Sequence, residues 1–220
     1  HSLPPRDLKT KRQRIQMVFQ EPSASLSPRR TIEQSLLEPM QHFCLGDSTQ
    51  QQEKIRDTLA TVGLDPDILG RYPHQFSSGQ QQRIAIARAL VTSPDLLIAD
   101  EAVSSLDVSI QAQILQLIKT LQTEHNIAVL FISHDLAAIA QVADDIAVML
   151  GGQLLEQSPA ELFFKGPAHP YSKELLALAS ETSKPELPTR KWHLERRLSA
   201  ANKSPACVFS ESSDRCFGLS

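Results

Sequence analysis

"LLIADE", Leu96 to Glu101, decides how the rest of this chain is read. An apolar run ends on two carboxylates, and "SPD" (Ser93 to Asp95) breaks the chain just ahead of it. A short continuous apolar run with such a boundary reads as a strand buried on both faces of a parallel sheet. In open α/β sheets ligands sit beyond the carboxyl ends of the strands, which is where Asp100 and Glu101 stand. One carboxylate there can hold Mg²⁺ while the other orients or deprotonates a water. The plainer alternative is that the pair only caps the following turn.

The elements on either side suit such a sheet. Upstream, "IQMVFQ" (Ile15 to Gln20) reads as a strand and the Pro- and Ser-rich "EPSASLSPRR" as a loop. From Thr31 to about Leu69 the pattern is helical, with Gly63 suited to a C-cap. "HQFSSGQQQR" (His74 to Arg83) is a turn feeding a helix striped by Ile84, Ala87, Leu90 and Val91. Downstream, Ile110, Ile114, Leu117, Ile118 and Leu121 stripe another helix, and "IAVLFIS" (Ile127 to Ser133) is a second buried strand ending at His134. "LAAIAQVA" is helical, and "DIAVML" with "GGQLLEQ" reads as two strands around a Gly-Gly turn. Strands alternating with helices predict an α/β fold with a parallel core sheet. Past Ser158, "PAELFF" and "HPYSKELLALAS" read as short helices, and a polar, Pro-containing stretch from Glu181 onward as a linker or loosely held tail.

Composition narrows the classes. At 220 residues the chain suits one domain plus an appendage. A hydrophobic content of 41% with 21% charged residues is that of a soluble globular protein, and a net charge of -3 leaves no basic footprint for nucleic acid. No apolar run approaches the ~18–20 residues of a membrane span, and the first residues have no apolar core of a signal peptide. Three cysteines, Cys44, Cys207 and Cys216, make no disulfide framework, so a reducing cytosol is the default.

The order of the motifs carries more than any one of them. Gln20 after a strand, "FSSGQ" (Phe76 to Gln80) opening a helix, "LLIADE", "SSLD" (Ser104 to Asp107) and a strand ending at His134 together resemble the ATP-binding cassette (ABC) transporter family. The resemblance spans Ile15 to about Gln157. "MVFQEPSASLSPR", "RYPHQFSSGQQQRIAIARAL", "SSLDVSIQAQIL" and "HPYSKELL" look like the ATPase subunits of dipeptide, oligopeptide and nickel importers, a branch that includes antimicrobial-peptide uptake. It implies a P-loop NTPase-type sheet core, incomplete at its N-terminus, with an inserted helical subdomain at about 23–90 and a C-terminal extension. On that basis residues 1–157 are the nucleotide-binding domain and 158–220 the extension.

The resemblance also implies roles. Asp100 and Gln20 belong to the Mg²⁺ shell, Glu101 polarises the attacking water, His134 senses the γ-phosphate, and Gln20 links the site to the helical lobe. Ser77, Gly79 and Gln80 meet the γ-phosphate of ATP held by a partner, an anion at a helix N-terminus, and Asp107 crosses the dimer interface. The implied partners are a second ATPase subunit, identical or related, transmembrane permease subunits, and indirectly an extracytoplasmic solute-binding protein. The implied place is the cytoplasmic face of the plasma membrane, with ATP and Mg²⁺ as ligands.

Three departures qualify these expectations. No G-x-x-x-x-G-K-[ST] phosphate loop occurs in the 220 residues. The chain is therefore read as a fragment lacking its first lobe segment, inactive by itself, or else as a protein that never had the loop. Ala102 stands where the family has proline. Ser78 stands where the signature has its first glycine, which is costly if the position needs φ > 0 and harmless in a first helical turn. Cys207 and Cys216 in "CVFSESSDRC" read as free thiols, since two thiols cannot close a four-ligand site. The leading expectation is an ATPase subunit that energises an importer of peptides or a related solute, and the alternative is a non-hydrolytic, regulatory module.

Overall fold

The computed structural model describes residues 4–182, and the chain divides into two compact units, His1–Val142 and Ala143–Ser220. In the first unit, β1 (Ile15–Val18), β2 (Leu96–Asp100) and β3 (Ala128–Ile132) form a parallel sheet in that order. The register pairs Val18 with Ala99 and Asp100 with Ile132. Gln20, Glu101 and His134 therefore leave the sheet at one edge, the carboxyl ends expected from the sequence.

One face of the sheet is covered. Val18, Leu97 and Ala99 are buried there with Ile84 and Ile86 of α5 (Ser78–Leu90) and Ile114 and Ile118 of α6 (Val108–Thr123). The other face is open, with Ile15 43%, Met17 40%, Leu130 51% and Ile132 44% exposed. The expectation of strands buried on both faces is therefore met on one face only. In this unit the covering helices lie along the Val18–Leu97–Ala99 side, while the opposite row, Met17–Ile98–Leu130 in register, is equally apolar.

A helix that apolar periodicity does not reveal precedes the sheet. α1 (Pro5–Arg14) is largely polar, begins with Pro5, and carries Asp7 in its first turn and Lys11, Arg12 and Arg14 in its last. Those charges suit the helix dipole. It runs directly into β1, and Arg14 pairs with Asp95 ahead of β2. Between β1 and α5 lie α2 (Pro22–Ser25), α3 (Ile32–Phe43) and α4 (Ser48–Thr61). Capping boxes start both longer helices, Thr31 with Gln34 and Asp47 with Gln50. α4 ends at Gly63, φ +70°, where the Leu64 N–H donates to Leu59 O at 2.9 Å and the Gly63 N–H to Ala60 O at 3.0 Å. These two bonds make the Schellman stop that the glycine predicts. Ile32, Leu36, Met40, Ile55 and Leu59 join the main core.

In the second unit β4 (Asp145–Leu150) and β5 (Gln153–Pro159) pair antiparallel. Their turn is Gly151 at φ +57° and Gly152 at φ +81°, the doubly positive backbone of a tight hairpin. α8 (Ala160–Lys165) and α9 (Pro170–Thr182) follow. "HPYS" starts α9: the His169 Nδ1 accepts from the Tyr171 N–H at 3.1 Å, and the Glu156 carboxylate accepts from the N–H groups of Ala168 and His169 at 2.8 and 3.0 Å. Burial raises the Glu156 carboxyl, but the neighbouring Ser172 hydroxyl, these two amide donors and the His169 charge outweigh it and hold it below its ordinary value. The buried Ser172 hydroxyl stops short of a formed hydrogen bond. Cys207, Cys216 and the polar stretch from Ser183 onward lie outside the described residues.

Candidate functional site

Glu101 leaves β2 at φ +46°, in the left-handed region. That costs a non-glycine residue about 1–3 kcal/mol and persists only where the surroundings over-determine it. Here they do. The Glu101 N–H donates to Ile132 O at 2.9 Å, and its carbonyl accepts from the Ser104 N–H at 3.1 Å and the Ser104 hydroxyl at 3.0 Å. Ala102 and Val103 are buried just beyond. The turn thus breaks the strand sharply while its carboxylate stays 31% exposed, with Oε1 3.2 Å from the His134 Nδ1. His134 is mostly open to solvent.

The turn that carries His134 is tied on both sides. The Asp135 N–H donates to the Ser133 hydroxyl at 3.0 Å. Asp135 Oδ1 accepts from the N–H groups of Ala137 and Ala138 at 2.8 and 3.3 Å, capping α7 (Leu136–Val142), and its Oδ2 accepts from Gln111 Nε2 at 2.8 Å.

Ser77 is the N-cap of α5. Its hydroxyl accepts from the Gln80 N–H at 3.3 Å, and Gln80 Oε1 accepts from the Ser77 N–H at 3.1 Å. Ser78 is the first residue of the helix and has no positive φ, which settles its question: serine fits this position without strain. The N–H groups of Ser78 and Gly79 precede the first intrahelical bond and have no intrahelical acceptor. Gly79 is buried, and a Cβ there would collide with Ile110 Cγ2 on the first turn of α6.

Asp107 occupies the N-cap of α6 without a side-chain cap bond, so its carboxylate is exposed and not spent on the helix. Gln20 is exposed, and its carbonyl accepts from the Ser105 hydroxyl at 3.4 Å. The structure thus brings Glu101 and His134 into contact, sets Asp100 beside them, and connects Gln20 to the "SSLD" turn. Among the described residues no hydrogen bond joins Ser77, Gly79 or Gln80 to Asp100, Glu101 or His134.

The oxygen donors of Asp100 and Gln20 fit a hard cation such as Mg²⁺. Among the described residues no cluster of three or more His, Cys, Asp and Glu forms a metal cage. Four residues support the site although the motifs assign them no role: Ser105 inside "SSLD", Ile110 and Gln111 just after it, and Asp135. Only Asp135 could have been found from the sequence, as an N-cap acid just before "LAAIA". The other three act through contacts far apart in sequence.

Known proteins resemble this chain in sequence and in fold. Residues 1–104 match the ABC transporter family. Over 203 residues the chain is 45% identical to the oligopeptide transport ATP-binding protein AppF of Bacillus subtilis, covering 91% of this chain and 62% of AppF. Over 215 residues it is 42% identical to the dipeptide transport ATP-binding protein DppF of Escherichia coli, covering 97% of this chain and 64% of DppF. The chain thus spans somewhat less than two thirds of either relative's length. Among solved structures, the ATP-binding cassette MJ0796, solved as a dimer in a post-hydrolysis state with ADP and Pi, superposes with a TM-score of 0.62 at 28% identity. That match covers 72% of this chain and 68% of the other. Fold, motif geometry and sequence agree that the chain belongs to the ABC transporter family.

Proposed function

We propose that this chain is the greater part of an ATP-hydrolysing subunit that energises a membrane importer of peptides or a related small solute. The observation that carries the reading is the Glu101–His134 pair, 3.2 Å apart at the carboxyl edge of a parallel sheet, beside Asp100. Glu101 serves as the base that polarises the attacking water, and His134 contacts the γ-phosphate and senses its loss. Asp100, with Gln20, holds Mg²⁺, which would neutralise phosphate charge. Ser77, Gly79 and Gln80 present a helix N-terminus to ATP held by a partner subunit, and Asp107, free of capping duty, reaches across the same interface.

A second subunit belongs to the reading because the signature turn of this family acts on ATP held by a partner. The dimeric solved relative supports a pair of cassettes. The relatives' names favour a hydrolysing, peptide-importing role over a regulatory one. Permease subunits and a solute-binding protein complete the reading, with the chain at the cytoplasmic face of the membrane. Among the described residues no helix is long and apolar enough to cross a membrane. Residues 1–157 form the nucleotide-binding domain, its helical subdomain at about 23–90, and 158–220 the extension.

The test is ATP turnover and ATP-dependent dimerisation by the full-length protein, with and without Glu101→Gln. Turnover in the parent, with a stable ATP-loaded dimer in the variant, is expected. Unchanged turnover in the variant would remove Glu101 from its role.

A further inference from the structure

The amides of Gln82 in α5 and Gln111 in α6 have no role in the reading above. Gln82 is fully buried with no hydrogen-bond partner for either amide atom, but no described contact says what it awaits. Gln111 is different, because its partner is in place. It lies one turn into α6, four residues after Asp107, and its Nε2 donates to Asp135 Oδ2 at 2.8 Å. The other oxygen of that carboxylate is the N-cap of α7. Between Ser133, whose hydroxyl holds the Asp135 N–H, and this doubly used carboxylate sits His134.

α6 and α7 are also tied further along. Lys119 Nζ donates to Gln141 O at 3.2 Å, and Ile114, Ile118, Ala138 and Val142 are all in the core cluster. On the opposite flank Gly79 sits against Ile110, and Arg83 of α5 donates to Gln113 Oε1 at 3.1 Å. The first two turns of α6 therefore touch the turn bearing His134 and the helix bearing the Ser77–Gln80 turn, while its N-cap is the interface residue Asp107.

We propose that Gln111 is a positioning residue: it makes α6 and the His134 turn one rigid body, so that displacement of Asp107 at the dimer interface moves His134 relative to Glu101. This rests on the ATPase reading. A charge-assisted hydrogen bond to a part-buried carboxylate is among the stronger side-chain ties. Removing the hydrogen-bond partner that orients a metal-binding side chain costs roughly 10–100-fold in activity, and the effect expected here is set at the low end of that range. Gln111 touches neither substrate nor metal in this scheme. It acts through Asp135.

The experiment uses the full-length protein with Gln111→Leu, which keeps the bulk and loses the donor, and Gln111→Lys, which restores a donor. Gln111→Leu is expected to lower kcat about ten-fold while KM for ATP, and ATP-driven dimerisation in a Glu101→Gln background, stay within about two-fold. Hydrogen exchange at Ala137 and Ala138, measured without nucleotide, should rise several-fold. Gln111→Lys should recover most of both. An unchanged kcat, an unchanged exchange rate, dimerisation lost in step with kcat, or a Gln111→Lys protein as slow as Gln111→Leu would each overturn the proposal. If the parent protein turns over no ATP, the ATPase reading fails instead, and the exchange measurement alone decides whether Gln111 holds the turn.

Discussion

The Ser77–Gln80 turn and the Asp100–Glu101 turn both place polar groups at the start of something functional, yet they are held by opposite means. The first is closed by its own residues. Ser77 and Gln80 satisfy each other three positions apart, and Ser78 is already helical. The second is held from elsewhere in the chain. Glu101 keeps a left-handed backbone because Ile132, thirty-one residues on, accepts its N–H, and its carboxylate faces His134 from the next strand. A local turn can be read from a short window, but a strained one needs the sheet to exist first.

Substitutions can break or sharpen that contrast. Glu101→Gln should have the largest effect on chemistry, a loss of ~10²–10⁴-fold in turnover. It should leave the urea midpoint nearly unchanged, because the bonds that hold the turn come from the Glu101 backbone and the exposed contact to His134 is worth little. A large loss of stability would mean that the side chain, not the backbone, holds the turn. Gly79→Ala comes next. Its Cβ would meet Ile110, and overpacking of this kind costs about 1–3 kcal/mol. Adding Ile110→Ala should remove part of that cost in a double-mutant cycle, and strict additivity would show that Gly79 and Ile110 do not touch in solution.

Ser77→Ala deletes the cap and should cost about 1 kcal/mol in thermal or chemical unfolding. A loss far above that would mean the turn has non-local support after all. The smallest effect belongs to Ser78→Gly, expected within about 0.5 kcal/mol and with turnover nearly unchanged. A clear gain in stability would show that serine is strained at this position, against its helical backbone.

Much of the fold was legible because it obeys short-range periodicity. β2 spans the run assigned to it, Leu96 to Asp100, and the Gly151–Gly152 hairpin and the Gly63 stop follow from backbone freedom that only glycine supplies cheaply. α1 was not legible, since a polar helix has no apolar stripe, and its end charges and leading proline are weaker signals. The open face of the sheet was not legible either. Met17, Ile98 and Leu130 are as apolar as Val18, Leu97 and Ala99, and side-chain type does not record which face has helices upon it.

The candidate site divides along the same line. The residue types, their order and the cap at Ser77 were determined by the sequence alone, because each is a matter of composition or of contacts within four residues. The harmlessness of Ser78 follows from that cap, which makes it the first residue of α5. The left-handed Glu101, its 3.2 Å approach to His134, the fit of Gly79 against Ile110 and the bond from Gln111 to Asp135 were decided by tertiary structure. All join residues that only the parallel register of β2 and β3, and the helices packed on it, bring within reach.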